Sequence, residues 1–376
     1  MGNSKKQRIL TAVSGGVDSS VAAALLQEQG HEVVGAYMKN WTNEEGLPGD
    51  CPWEQDIRDA RAVCDHLGIE FRILSLMDQY RDRVVDYLLS GYREGVTPNP
   101  DVMCNREMKF GIFLDFALDQ GFDAIATGHY ARIVRHDDGS ADILRGRDGN
   151  KDQTYFLALL EQLQIQPALF PIGDIPKPEV RELAKKYALP VAQKKDSQGI
   201  CFIGQIKMSD FLSHYIDDRP GPIVTLDGRE VGEHRGLHLY TLGQRKGLGV
   251  ASNTFGKAYV VVEKRARSNE LVVAFDEPDT PKLYATRCRI GGISVTRRSL
   301  SEISQLSIQP RYRCHATPVS VELSEDGASA EVVFESPQRA LTPGQIAAFY
   351  EGETLVGGGI FQEIHHESMV SAPASV

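Results

Sequence analysis

The chain has 376 residues, of which 41% are hydrophobic and 24% charged, and carries a net charge of −10. That length exceeds one typical core and predicts two or three domains of ordinary globular composition. No apolar run reaches the roughly 20 residues that cross a bilayer, which excludes a helical membrane protein. The opening "MGNSKKQRIL" leads straight into the first expected strand, and Lys6 stands where myristoylation at Gly2 needs Ser or Thr. The expectation is a cytoplasmic enzyme with no membrane partner.

Residues 8 to about 200 alternate short apolar runs with helical patterns. "RILTAV", "HEVVGAYM", "EFRILSL" and "FDAIATGHY" read as strands. "VAAALLQEQG", "EQDIRDARAVCDHLG" and "MKFGIFLDFALDQG" read as helices, each closed by a C-terminal glycine. Strand–helix alternation predicts a doubly wound parallel sheet, with ligands at the carboxyl ends of its strands. "KMSDFLSHYI" reads as a last helix before "DDRPGPI" breaks the pattern. From there to about residue 280 the chain is Gly-rich with short strands such as "AYVVVE" and "ELVVAF". "RCRIGGISV", "TPVSVEL", "SAEVVFE" and "QIAAFYEGETLVGGGIF" then predict a small β-barrel, and "HESMVSAPASV" a disordered tail. The expected class is α/β plus β: residues 1–208 an α/β catalytic domain, 209–280 a small central β-rich domain, 281–376 the barrel with its tail.

Between the first strand and helix lies "SGGVDSS", residues 14–20. Backbone N–H groups at a helix start are unpaired and the dipole is positive there, so anions bind. Gly15 and Gly16 let backbone approach a phosphate, while Ser14, Ser19 and Ser20 offer hydroxyls. A P-loop would read GxxxxGK[ST], and this loop has neither that spacing nor its lysine. Six cysteines (Cys51, Cys64, Cys104, Cys201, Cys288, Cys314) form no CxxC pair, and no metal site is expected from them. Two lie in basic contexts that favour a thiolate: Cys104 near Arg106 and Lys109, and Cys201 after Lys194 and Lys195. The other four suit buried, inert roles. Charge is uneven as well. Residues 241–315 hold thirteen Lys and Arg against six Asp and Glu, a local +7, leaving −17 elsewhere, which points to a face for a polyanion.

"SGGVDSS" resembles the PP-loop of the ATP pyrophosphatases, which cleave ATP between the α and β phosphates and transfer AMP to an oxygen. With "TPNPDVMCNREMKFG", "ATGHYAR", "LRGRDGNKDQTYFL", "KKDSQGICFIG", "GEHRGLHLYTLGQRKGLG" and "LTPGQ", the chain closely resembles the tRNA-specific 2-thiouridylases along nearly its whole length. The resemblance implies a PP-loop fold for residues 1–208 and tRNA contact by 209–280. It implies ATP with Mg2+ over Ala12, Val13, Ser14, Gly15, Gly16, Val17, Asp18 and Ser19, with Met38 and Gly128 on the adenine and ribose side. A flipped wobble uridine is adenylated on its C2 oxygen and receives sulfur from a persulfide on Cys201, directly or after its release as hydrosulfide. Cys104 attacks that persulfide or closes a disulfide with Cys201, and Asp101 moves a proton. Asn99, Pro100, Asp101 and His129 lie at the target base, and Lys151, Asp152 and Gln153 on the anticodon side. Arg311, Tyr312 and Gln345 contact tRNA from the barrel, and Gln244-Arg245-Lys246-Gly247 its stem. The implied partners are the anticodon arm of tRNA and a sulfur-donor protein, either a persulfide carrier or a cysteine desulfurase. A PP-loop ligase acting on a small molecule, a non-catalytic RNA-binding protein and an iron–sulfur tRNA thiolase are the competing readings.

Overall fold

The computed structural model describes residues 6–42, 46, 53–195, 206–252, 254 and 256–366. Strand β1 (Arg8–Ala12) is flanked on both sides, by β2 (Glu32–Lys39) and by β4 (Ala124–Ala126), in parallel register. A parallel strand covered on both faces needs a continuous apolar run, and four of the five β1 residues are buried. β3 (Glu70–Ser75) and β7 (Ala168–Leu169) complete a five-stranded parallel sheet in the order β3-β2-β1-β4-β7. Helix α1 (Val17–Glu28) follows β1 and α2 (Trp53–Leu67) follows β2. The strand order reverses between β1 and β4, so the "SGGVDSS" loop lies at the switch point, where doubly wound sheets bind ligands.

Two features depart from the helix-and-strand expectation. The segment expected as one helix after Cys104 begins as a nine-residue π-helix (Cys104–Ile112) before turning α-helical over Phe113–Asp119. Gly111 fits that geometry, since a Cβ there would lie 3.0 Å from the Arg106 carbonyl oxygen. π-Segments are rare and gather at functional sites. The second departure is an antiparallel hairpin, β5 (Ala131–Arg135) and β6 (Ala141–Arg145), which leaves the parallel sheet altogether.

The central domain pairs β8 (Gly221–Thr225), β9 (Glu230–His234), β10 (Tyr259–Arg265) and β11 (Glu270–Phe275) in the order β10-β11-β8-β9. Six C-terminal strands follow: β12 (Tyr284–Val295), β13 (Leu306–Gln309), β14 (Thr317–Leu323), β15 (Ser329–Arg339), β16 (Ile346–Glu351) and β17 (Thr354–His365). They run β12-β15-β14-β13-β16-β17, and β12 pairs back onto β17, closing a barrel with no free edge. The α/β plus β class is therefore as expected. What the pattern did not foretell is that β6 pairs with β17, at Thr354 opposite Leu144 and Leu355 opposite Ile143. The α/β domain thus lends two strands to the barrel's sheet. The main core is correspondingly continuous from the α/β domain into barrel residues Ile346, Ala348, Tyr350 and Leu355.

Candidate active site

Gly15 sits at φ +73°, and a Cβ on it would come within 2.5 Å of the Asp56 carbonyl oxygen on α2. Only glycine meets both demands without strain. Gly16 is the N-cap of α1 and makes no side-chain cap bond, which leaves the first-turn N–H groups directed at the space before the loop. Ala12 and Val13 are buried at the end of β1, as Met38 is at the end of β2. Ser19 Oγ accepts from the Ser14 N–H at 3.1 Å, and Ser20 donates to the Gly16 carbonyl at 2.7 Å. Of the three hydroxyls expected at a phosphate, Ser20 is turned inward and Ser14 is exposed.

Asp18, in the first turn of α1, accepts from Tyr130 Oη at 2.8 Å and from Lys177 Nζ at 2.7 and 2.9 Å. On the other side of the loop, Lys194 Nζ reaches Asp56 at 2.8 Å and Asp59 at 2.6 Å. Burial works against its charge, but the two carboxylates hold Lys194 above the ordinary lysine pKa. Its ammonium, expected to favour a thiolate at Cys201, is bonded to two aspartates on α2. Cys201 itself, with residues 196–205, lies outside the described residues, as does Cys51.

Asn99 accepts from the Val102 N–H at 3.2 Å and caps a short helix, Pro100–Met103, with Pro100 at its first position. Asp101 is half-buried on that helix. Cys104, next in the chain, opens the π-helix and is 1% exposed. Arg106, expected to supply positive charge there, pairs with Glu107 at 2.7 Å. Burial pushes the thiols of Cys64 and Cys288 up to about 12, as inert core cysteines require. Cys314 is exposed, contrary to the expected buried role.

Four residues link the two halves of the site. After β4, Gly128 packs on α1, where a Cβ would lie 2.7 Å from the Ser19 nitrogen. The ring of buried His129, held by Thr127 Oγ1 at 2.6 Å, lies 5.9 Å from Phe110 of the π-helix. Burial, with help from Lys109, lowers its pKa well below the usual value, so the imidazole is neutral. Tyr130 and Gln153 exchange hydrogen bonds at 3.0 Å through backbone and side chain.

The remaining expected contacts are dispersed. Lys151 is half-buried in a turn whose N–H bonds the Asp148 carbonyl. Asp152 is buried and accepts from Arg145 at 2.7 Å, the Gly146 N–H at 3.0 Å and Thr154 Oγ1 at 2.9 Å. Thr154 in turn meets Tyr350 of the barrel at 2.9 Å. Gln345 Nε2 donates to the Thr97 carbonyl at 2.7 Å, and the Thr97 N–H to the Pro343 carbonyl at 3.0 Å. Arg311 donates to the Ala340 carbonyl and, at 3.0 Å, to Thr342 Oγ1. Tyr312 packs its ring 4.6 Å from Phe156. Gln345 therefore ties the barrel to the segment leading into Cys104, Arg311 bonds within the barrel, and Tyr312 packs against the α/β domain at Phe156. Part of the basic region is paired too: Arg245 with Asp276, Lys257 with Glu277, Lys282 with Glu263, Arg297 with Asp142 and Arg298 with Glu351.

Tyr130, Lys177 and the Asp56–Lys194 pair were not singled out in the sequence as parts of this loop. Each is remote in sequence from the loop it touches, and nothing local marks it. Among the described residues, no group of three His, Cys, Asp or Glu could hold a metal ion, and no helix is long and apolar enough to cross a membrane.

Three family profiles match in succession: a tRNA methyl transferase HUP domain over residues 7–205, a tRNA methyl transferase PRC-barrel domain over 209–275 and an aminomethyltransferase beta-barrel domain over 286–361. The chain is 61% identical over 357 residues to a tRNA-specific 2-thiouridylase MnmA of Akkermansia muciniphila, covering 95% of this chain and 99% of that one. It is 44% identical over 372 residues to a protein of the same name from Streptococcus thermophilus, covering 98% and 99%. A solved 4-thiouridine synthetase–RNA complex with bound ATP matches 54% of this chain and 46% of its own at 18% identity and TM-score 0.36, a likeness too slight to bear on function. With identity at this level along nearly the full length, the chain belongs to the tRNA-specific 2-thiouridylase family.

Proposed function

We propose that this enzyme is an ATP-dependent tRNA-uridine 2-sulfurtransferase that works as follows. ATP lies over Ala12–Ser19, with Met38 and Gly128 beside adenine and ribose. The C2 oxygen of a flipped wobble uridine attacks the α-phosphorus, the bond to the bridging oxygen breaks, and pyrophosphate leaves with the electron pair. The terminal sulfur of a Cys201 persulfide then adds at C2, and AMP departs with the former C2 oxygen. Cys104 attacks the inner sulfur, leaving 2-thiouridine and a Cys104–Cys201 disulfide that an external thiol reopens. Asp101 exchanges the proton.

The loop offers Asp18 as its one carboxylate, which fits a Mg2+ that arrives on the triphosphate and draws most of its ligands from phosphate and water. Neutral His129 places no charge beside the base. Lys151 and Tyr312 supply phosphate and stacking contacts. Asp152, Gln153, Arg311 and Gln345 act by positioning, since their side chains are bonded within the protein. A persulfide carrier or cysteine desulfurase recharges Cys201, and the domains divide near 208 and 280.

One observation carries this reading: Gly128 and His129 are consecutive, the first against the phosphate loop and the second against the helix of Cys104. That adjacency supports a site in which activation and sulfur transfer meet. The test is release of AMP and pyrophosphate with and without unmodified tRNA. Release that requires a wobble uridine supports the reading, and equal release without RNA refutes it.

A further inference from the structure

The motif places a carboxylate, Asp18, in the helix turn that is to receive a triphosphate, and supplies no lysine of its own. An aspartate suits a helix N-terminus but repels a phosphate docking there. The fold answers with Lys177, which brings its ammonium to 2.7 and 2.9 Å from the two Asp18 oxygens. This lysine is 9% exposed and is the first residue of the helix Lys177–Lys186. Both facts run against ordinary preference, since lysines are rarely buried and a helix start disfavours cations. Its position is fixed rather than accidental. The Lys177 N–H bonds Asp148 at 3.0 Å, and Val180 and Ala184 of the same helix share one buried cluster with Val17 and Val21 of α1.

We propose that Lys177 is the lysine the loop lacks, a cation held by Asp18 before nucleotide binds and transferred to the β-phosphate when it does, where it acts as a catalytic residue. This rests on the ATP reading above. As the bond between the α-phosphorus and the bridging oxygen breaks, the electron pair passes to pyrophosphate, and the Lys177 ammonium balances the new charge. When pyrophosphate leaves, the ammonium returns to Asp18, so the carboxylate stores the cation between turnovers. Tyr130, which donates to the same carboxylate at 2.8 Å, keeps Asp18 in place while the lysine is away.

The test is the affinity of the full-length protein for ATP, pyrophosphate and AMP, each with Mg2+, in wild type, Lys177→Met, Lys177→Arg, Asp18→Asn and the double variant Asp18→Asn/Lys177→Met. The proposal expects Lys177→Met to weaken ATP and pyrophosphate by about tenfold or more, the size of one lost charge-assisted hydrogen bond, with AMP affinity unchanged. Lys177→Arg recovers most of the loss. The double variant has no unpaired carboxylate left behind, so it keeps its fold and still binds pyrophosphate weakly. If the double variant binds pyrophosphate as tightly as Asp18→Asn alone, which equally lacks the carboxylate offered to Mg2+, Lys177 only silences Asp18 and the proposal falls. Equal loss of AMP affinity overturns it as well. A wild-type chain that binds none of the three overturns the ATP reading and this proposal with it, whereas the other failures leave the ATP reading standing.

Discussion

Replacing Gly15 by alanine isolates the loop's geometry from its chemistry. The new Cβ carries two costs. The residue is held at φ +73°, where an L side chain loses about 1–2 kcal/mol. The methyl also lies 2.5 Å from the Asp56 carbonyl oxygen, in the first turn of α2, and overpacking of that kind costs about 1–3 kcal/mol. Asp56 is poorly placed to yield, because its carboxylate is tied to Lys194 at 2.8 Å. Together these give a loss of about 2–5 kcal/mol, or a fall in Tm of roughly 4–20 °C for a domain of this size. The domain still folds at moderate temperature, but the loop is displaced from α2 and ATP affinity drops. Thermal unfolding with and without ATP reads both effects. A Gly15→Ala protein with wild-type Tm and wild-type stabilisation by ATP refutes the argument.

Asp152→Asn leaves Arg145 without its buried carboxylate and is expected to cost about 3 kcal/mol, whereas Lys151→Ala weakens tRNA binding with a shallower salt dependence; unfolding of the first variant and binding titrations on the second check the two roles. His129 is held neutral in the fold, below the ordinary 6.5, so it contributes stability above that value which is lost as pH falls below it. His129→Gln should flatten the acid side of a plot of Tm against pH. Lys264 Nζ is buried with no hydrogen-bond partner among the described residues, and burial lowers its pKa to about 8 from 10.5. Lys264→Met should therefore raise stability at pH 7 by as much as about 3 kcal/mol, a gain that shrinks as pH climbs from about 8 to 10.5.

The parts of this protein legible in its sequence are those made by neighbours in the chain. β1, the glycine loop and α1 are contiguous, and their apolar run, paired glycines and helical spacing each have a local cause. The parallel sheet and the barrel follow from the same local periodicities. What could not be read there depends on distant partners. Residues 131–145 carry ordinary strand signals, and nothing in them names β17 as the strand they join. The nine π-helical residues share their apolar spacing with an α-helix, so the bulge at Cys104 is invisible until carbonyl positions are known. Lys177 follows Pro176 in a charged stretch that carries no local sign of its partner, because Asp18 is 159 residues away. Lys194 reads as a neighbour of Cys201, but the fold gives its charge to Asp56 and Asp59.

The central claim is sulfur transfer to a base, and the product shows it most directly. An unmodified tRNA transcript with a wobble uridine would be incubated with the protein, Mg-ATP and a persulfide donor, then digested to nucleosides for mass spectrometry, beside Cys104→Ala and Cys201→Ala. The account predicts a wobble uridine with sulfur in place of one oxygen, formed only when ATP and both cysteines are present. A uridine bearing an added methyl, or a thiolated base formed equally by the two variants, would contradict it.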